Sequence, residues 1–179
     1  MKCAIELLFN EESQVKINKL RKTLSENGVH DEAVPTNHVS LADIEINEED
    51  LKKVKELLNK FSKSHKAIKL VLSSVGSFMT KENVLFLTPT MTDNLICYND
   101  EIVYELKKIG VVCGKYYTKN NWQPHCTVAI RLSDQELIKG FEILKYNNIL
   151  PLEVVANRID LLCYDPKPYK ELYIEKLEK

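Results

Sequence analysis

The sequence predicts an α+β fold of two pseudo-symmetric lobes, with mainly antiparallel sheets around a central cleft and the helices on the outside. Short apolar runs typical of strands alternate with amphipathic segments typical of helices. The order of these segments occurs twice along the chain. A short motif, His-x-Ser/Thr-x, begins at His38 and again at His125, 87 residues later, at matching places in the two series.

The first series begins with a short apolar run and continues through two amphipathic segments. Its elements are a strand at 3–9, a helix at 11–27, a strand at 38–44, a helix at 48–62, and strands at 66–74 and 83–88. The apolar stripe predicted for the first helix consists of Val15, Ile17, Leu20 and Leu24. Gly28 is suited to end that helix, and Asn47 to cap the next one. A loop containing Gly76 is expected between the last two strands.

The second series repeats this order. Its elements are a helix at 93–109, a strand at 124–131, a helix from Ser133 to about residue 146, and strands at 152–163 and 171–177. The first of these helices ends at Gly110, and both long helices are followed by Gly-Val. Ser133 and Glu136 form a capping-box pattern at the second helix. The last two strands flank the Pro-rich turn 165–168.

The two series indicate one domain over residues 1–179 rather than two separate ones. Counting from each motif histidine, a helix begins 10 residues after His38 and 9 residues after His125. The sequence therefore predicts lobes built from diverged halves, about 1–82 and 83–179, with strands exchanged between them. A cleft is expected where the lobes meet.

Composition excludes several classes of protein. The 179 residues are 44% hydrophobic and 28% charged, which is an ordinary globular balance. A net charge of −1 excludes a strongly basic protein that binds nucleic acid regardless of sequence. No apolar run approaches a membrane span, and the apolar run at 3–9 contains Glu6 and is too short for a signal peptide. The five cysteines lack a CxxC pair and are expected to be reduced thiols of a cytoplasmic, monomeric protein.

The motif places two functional groups on one side of each strand. Side chains alternate along a strand, so His38 and Ser40 share one face, as do His125 and Thr127. The intervening apolar residues anchor the opposite face. A symmetric pair of such strands would aim two imidazoles and two hydroxyls into one cleft.

This set of groups suits phosphoryl chemistry. An imidazole has a pKa near about 6.5, so one ring can take a proton from water while the other gives one to a leaving oxygen. Two hydroxyls, those of Ser40 and Thr127, can donate to the non-bridging oxygens of the phosphate. A zinc site at His38 and His125 would need further ligands, and no Cys or His stands at ligand spacing from either. No metal or other cofactor is therefore expected.

At these residues the sequence resembles the 2H phosphoesterase superfamily, which includes the 2′-5′ RNA ligases and the RNA cyclic phosphodiesterases. That superfamily is defined by two His-x-Thr/Ser-x motifs in pseudo-symmetric lobes. Residues 124–129, Pro-His-Cys-Thr-Val-Ala, are very like its second signature, and the stretch from Gly76 to residue 87 resembles its lobe connection. The resemblance extends from residue 4 to about 177. Ser40 stands where threonine is more usual, which keeps the hydroxyl.

The resemblance implies a metal-independent phosphodiesterase that acts on RNA-type 2′,3′-cyclic phosphates or 2′-5′ linkages. His38 and His125 would be catalytic, and Ser40 and Thr127 would bind the phosphate. One rival is the reverse, ligase-type reaction; another is a non-catalytic module that binds a nucleotide or an RNA end. Only three arginines occur, which favours a small nucleotide or a short RNA end over a long structured RNA.

Aromatic side chains near the second motif are candidates for stacking a base. Tyr116, Tyr117 and Trp122 lie just before that motif, and Tyr169 follows the Pro-rich turn. The alternative for the first three is that they cover the open end of a lobe.

Overall fold

The structure, a computed structural model, describes residues 1–30, 36–165 and 167–178. These residues form seven strands, four α-helices and one short 3₁₀ turn. In chain order the elements are β1 (Lys2–Phe9), α1 (Glu11–Glu26), β2 (His38–Glu45), α2 (Glu48–Ser64), β3 (Ile68–Phe78), β4 (Val84–Pro89), α3 (Asp93–Lys108), the 3₁₀ turn Lys115–Tyr117, β5 (Cys126–Ile130), α4 (Asp134–Tyr146), β6 (Leu152–Asp165) and β7 (Lys170–Lys176).

Every pair of neighbouring strands is antiparallel, which confirms the predicted fold class. The hydrogen-bonded order is β2-β1-β6-β3-β4-β5, and β7 also pairs with β6. The long strand β6 joins the two parts of this sheet, because one end of it pairs with β3 and the remainder with β1. The origin of the halves by duplication stays a prediction.

Both motif strands carry the same irregularity. Glu6 of β1 faces Ser40 after a register shift, and Phe86 of β4 faces Thr127 after an equivalent shift. In each case the extra residue is the last one of the His-x-Ser/Thr-x motif, Leu41 or Val128, and it forms a β-bulge. Because both bulge side chains are fully buried, they anchor the motif strands to the core.

The ends of the long helices follow the sequence signals. Gly28 and Gly110 adopt positive φ angles of 79° and 82°, a conformation that glycine accepts without a steric penalty. The next residue in each case donates back to the helix, Val29 N to Leu24 O at 3.0 Å and Val111 N to Leu106 O at 2.9 Å. The predicted caps at Asn47 and Ser133 are also present, the latter as a full capping box with Glu136.

One member of the predicted stripe on α1 is wrong. Ile17, Leu20 and Leu24 are buried, but Val15 is 67% exposed. Successive helical residues are rotated by about 100°, so Val15 lies roughly opposite Ile17. Ser13 occupies the buried position instead, and its hydroxyl accepts a hydrogen bond from Val155 N at 2.9 Å.

The expectation that Gly76 lies in a loop is also wrong. β3 continues to Phe78, and Gly76 pairs with Phe86 within the sheet. A Cβ atom at Gly76 would collide with the Phe86 ring, so glycine is needed here for a close approach. Of the turn expected at 165–168, Pro166 lies outside the described residues.

None of the helices in the described part of the chain is both long and apolar enough to cross a membrane.

Gly76→Ala should destabilise the protein by about 1–3 kcal/mol, because the new methyl group overpacks against Phe86. Gly110→Ala is the matched control, since a Cβ there has open space and only the positive φ is penalised, at about 1–2 kcal/mol. Urea unfolding at neutral pH measures both changes. An unchanged unfolding free energy in Gly76→Ala would show that the Phe86 ring moves aside without cost.

Candidate functional site

The two motif histidines are held in the same way. His38 is the first residue of β2, and His125 immediately precedes β5. Nδ1 of His38 lies 2.9 Å from Thr36 O, and Nδ1 of His125 lies 2.8 Å from Gln123 O. A carbonyl oxygen can only accept, so each Nδ1 carries the proton and each Nε2 keeps its lone pair in the neutral ring.

His38, Ser40 and Thr127 line one cleft of about 310 Å³. His38 and Ser40 come from β2 and Thr127 from β5, so the cleft contains residues of both motifs. His125 is not among the described side chains that line it. The remaining lining side chains in the described part of the chain come from β1, β2, β5, β6, the 3₁₀ turn and the segment before β7: Ala4, Glu6, Asp43, Tyr117, Ile130, Leu162, Tyr164 and Tyr169.

The imidazole of His125 is half-buried in an aromatic setting. Its ring meets Phe78 edge to face at 4.8 Å between centroids, and it lies 5.1 Å from the ring of Phe86. The charge of His38 contributes to the lowered pKa of His125, so the two imidazoles lie within electrostatic reach of each other.

Burial favours the neutral form of both imidazoles. Loss of water lowers the pKa of His38 to about 4, and the positive charge of Arg21 adds to this effect. Burial also lowers the pKa of His125, and the charge of His38 acts in the same direction. Both rings are therefore neutral near pH 7 in the free protein. A phosphate anion in the cleft would favour protonation of one of them.

The first motif is fixed from behind by helix α1. Asn37, which precedes His38, is almost completely buried. Its side-chain amide donates to Gln14 Oε1 at 2.7 Å and to Asn18 Oδ1 at 2.8 Å, and its Oδ1 accepts from Arg21 Nη1 at 3.1 Å. These partners recur once per turn of α1, so the helix holds the start of β2 through one polar stripe.

A second set of contacts holds the bulge beside Ser40. Asn99 of α3 donates to Leu41 O at 2.7 Å and to Tyr117 O at 3.0 Å. Trp122 Nε1 donates to Ser40 O at 3.1 Å. The loop before the second motif therefore packs against the first motif and joins the two halves of the site.

The four aromatic candidates take different positions. Tyr117 and Tyr169 line the cleft together with Ser40. Tyr116 is 68% exposed, with Lys115 Nζ 4.7 Å from the centre of its ring. Trp122 packs against the core and is not among the described side chains that line the cleft.

Sequence reasoning missed three polar side chains of the cleft, those of Glu6, Asp43 and Tyr164. Tyr164 of β6 donates to Asp43 Oδ1 at 2.5 Å, and Glu6 lies next to His38. Tyr164 follows Asp160 and Leu162 in alternation, which is the period of one strand face. A single carboxylate inside an apolar run was the available signal for Glu6.

The described residues contain no group of three His, Cys, Asp or Glu side chains arranged to hold a metal ion. Cys126, which follows His125, is fully buried, and burial raises the pKa of its thiol to about 12. The groups in the cleft that can transfer protons or donate to an anion are thus imidazoles, hydroxyls and carboxyls.

Comparison with known proteins identifies the class and then the family. Chains of the same fold include TT0787 of Thermus thermophilus, with a TM-score of 0.69, 15% identity and coverage of 99% of this chain and 98% of that one. E. coli LigT in its apo form has a TM-score of 0.66, 14% identity and the same coverage. The MHV ns2 PDE domain has a TM-score of 0.54, 16% identity and coverage of 98% and 97%. No curated protein matches the sequence.

The fold and the paired motifs are those of a 2H phosphoesterase. Within that class, the family model of the 2′-5′ RNA ligase superfamily matches residues 9–168, which is most of the chain. The protein belongs to the 2′-5′ RNA ligase superfamily, as the resemblance of its motifs predicted.

Protonation of buried His38 should weaken the fold at acid pH. Its pKa is lowered in the folded state, so its contribution is complete above about pH 6.5 and is lost as the pH falls towards 4. Between pH 7 and about pH 4.5 the wild type should lose about 2 kcal/mol more unfolding free energy than His38→Gln. Urea unfolding at both pH values tests this, with His30→Gln as the control for an exposed imidazole. Equal losses of unfolding free energy in all three proteins would contradict the burial of a neutral His38 ring.

Proposed function

We propose that this protein is a metal-independent phosphodiesterase that hydrolyses RNA-type 2′,3′-cyclic phosphates or 2′-5′ linkages by acid–base catalysis with His38 and His125. The observation that carries the proposal is the matched orientation of the two imidazoles. Each donates its Nδ1 proton to a carbonyl two residues earlier, which leaves both Nε2 atoms for chemistry. Membership of the superfamily supports an enzyme rather than a binding module.

In the proposed reaction the two histidines act in opposite directions. Nε2 of His125 accepts a proton from water as its oxygen attacks phosphorus, and Nε2 of protonated His38 gives a proton to the leaving ribose oxygen. One P–O bond forms and one breaks, so a cyclic phosphate opens to a 2′-phosphate. The hydroxyls of Ser40 and Thr127 donate to the non-bridging oxygens and stabilise the charge that develops there.

The bound molecule is proposed to be a nucleotide or the end of an RNA. E. coli LigT has been crystallised with 3′-AMP, with ATP and with phosphate. In this chain Tyr117 and Tyr169 line the cleft beside the motif hydroxyls, and an aromatic ring there offers a stacking surface for a base. Tyr116, next to Tyr117, is exposed, and Trp122 packs against the core.

The reverse reaction is the second candidate, and the family name supports it. A ribose 5′-hydroxyl would replace water as the group that attacks a cyclic phosphate, and the same two imidazoles would transfer the same protons. Incubation with RNA fragments that end in a cyclic phosphate and in a 5′-hydroxyl distinguishes the two directions by the size of the products.

His38→Ala and His125→Ala should each lower the rate on a 2′,3′-cyclic nucleotide by about 10²–10⁴, because each removes one proton-transfer partner. The double variant should be little worse than either single one, since the two groups act as a unit. Ser40→Ala and Thr127→Ala should cost less, because the phosphate keeps other donors. A wild type that binds the nucleotide without hydrolysing it, and histidine variants that lose this binding, would identify a binding module instead.

The wild-type pH–rate profile should be bell-shaped, with one neutral and one protonated imidazole in the active form. Burial lowers the pKa of both rings in the free protein, whereas bound phosphate favours a protonated ring. The basic limb of kcat/KM, which reports the free enzyme, should therefore lie at lower pH than the basic limb of kcat. His125→Ala should flatten the acidic limb and His38→Ala the basic limb. Basic limbs of kcat/KM and kcat at the same pH would contradict the proposal that bound phosphate favours a protonated ring.

Hydrolysis should survive excess EDTA, because side chains supply the acid, the base and the phosphate donors. The measurement is the initial rate on a 2′,3′-cyclic nucleotide before and after chelation and dialysis. Complete loss that zinc or manganese restores would favour metal-assisted hydrolysis.

A further inference from the structure

The two halves of the site differ at the position behind each histidine. In the first half, Glu6 of β1 faces Ser40 on one side and Asp160 on the other. In the second half, the corresponding residue of β4 is Phe86, which faces Thr127 and Gly76. A pair of carboxyl groups thus occupies the place that a phenyl ring and a glycine occupy in the other half.

Glu6 lies directly against the first imidazole. Its Oε2 is 3.2 Å from Nδ1 of His38, and both side chains are nearly buried, at 3% and 10% exposed. The same oxygen has no hydrogen-bond partner among the described residues, because the Nδ1 proton is directed to Thr36 O. Asp160 is also buried and has an unpartnered oxygen, Oδ1. The ring of His125 instead contacts the phenyl rings of Phe78 and Phe86.

Burial is the main cause that keeps this carboxyl pair protonated in the free protein. It raises the pKa of both Glu6 and Asp160, and the charge of Glu6 raises that of Asp160 further. Glu171 of β7 acts on Asp160 in the same direction, while Arg158 opposes them.

Other elements face the pair from its remaining sides. Arg21 of α1 acts on His38 and disfavours its protonated form. Tyr117 of the 3₁₀ turn has its pKa raised to about 12 mainly by burial, with Asp43 and Glu6 adding to it. Tyr117 is therefore neutral near pH 7. The thiol of Cys126 of β5 contacts the backbone of His38 and is neutral as well.

We propose that Glu6 is a positioning residue that makes His38, rather than His125, the imidazole that is protonated when phosphate is bound. The inference rests on the proposed function, because it explains which ring serves as the acid. On phosphate binding, His38 takes up a proton at Nε2 and Glu6 releases its own to solvent, so the number of bound protons is unchanged. The Nδ1–H group then faces a carboxylate, and an opposite charge at this distance favours the imidazolium.

In this proposal Asp160 stabilises the carboxylate of Glu6 by a hydrogen bond. It stays protonated and shares its proton with the Glu6 carboxylate, as closely paired carboxyl groups do. The buried negative charge is then hydrogen-bonded rather than isolated, which lowers its cost. An amide at position 160 can make the same donation, whereas an aliphatic side chain cannot.

The test is an NMR titration of the imidazole nitrogens with saturating inorganic phosphate. In the wild type, the pKa of His38 should exceed that of His125. Glu6→Gln should lower the pKa of His38 by at least about 1 pH unit and leave His125 almost unchanged. Glu45→Gln, an exposed substitution at the end of β2, is the matched control. An unchanged His38, or equal shifts of both rings, would overturn the proposal.

Variants at position 160 supply an independent comparison if Glu6→Gln fails to fold. Asp160→Asn should keep the His38 titration near that of the wild type, and Asp160→Leu should lower its pKa. Equal titrations in these two variants would overturn the proposal. If the wild type hydrolyses cyclic phosphates, the basic limb of kcat should move to lower pH in Glu6→Gln. Absence of hydrolysis would refute the proposed function. The NMR titration needs only phosphate, so it would still decide whether Glu6 has the proposed role.

Discussion

The site depends on one hydrogen bond made twice, from an imidazole Nδ1–H to the carbonyl oxygen two residues earlier. This bond determines the tautomer of His38 and of His125 and so determines which nitrogen remains for chemistry. Both carbonyls lie just outside the motif strands, before β2 and β5 begin.

Other parts of the fold hold the two motif strands in the position that this hydrogen bond requires. β-bulges at Leu41 and Val128 bury an apolar side chain beside each motif hydroxyl. Asn37 ties the start of β2 to α1 through a fully hydrogen-bonded amide. Polar groups at this depth are stable only when they are paired, so these networks let the protein carry buried imidazoles at all. The same burial favours the neutral form of both rings.

If the two halves of the fold were identical, the two histidines would be equivalent. The strands around them match in register and in the position of the bulge, yet the residues behind the rings differ completely. A carboxyl group next to one imidazole and a phenyl ring next to the other create different electrostatic environments at equal geometry. General acid–base chemistry needs that difference, because one ring has to give a proton while the other takes one.

Local patterns in the sequence predict the order of the elements, the antiparallel α+β class and the helix caps at Asn47, Gly28, Gly110 and Ser133. The two His-x-Ser/Thr-x motifs are likewise visible in the sequence. These features depend on local periodicity and on contacts within a few residues, so the amino-acid sequence specifies them directly. Tertiary structure decided that Gly76 lies inside β3 against Phe86, that Val15 faces solvent, and that Glu6 and Asp160 meet beside His38. Residues 6 and 160 stand at opposite ends of the chain, and only strand register brings them together. Burial, which shifts the pKa of each group there, is likewise a property of the whole fold.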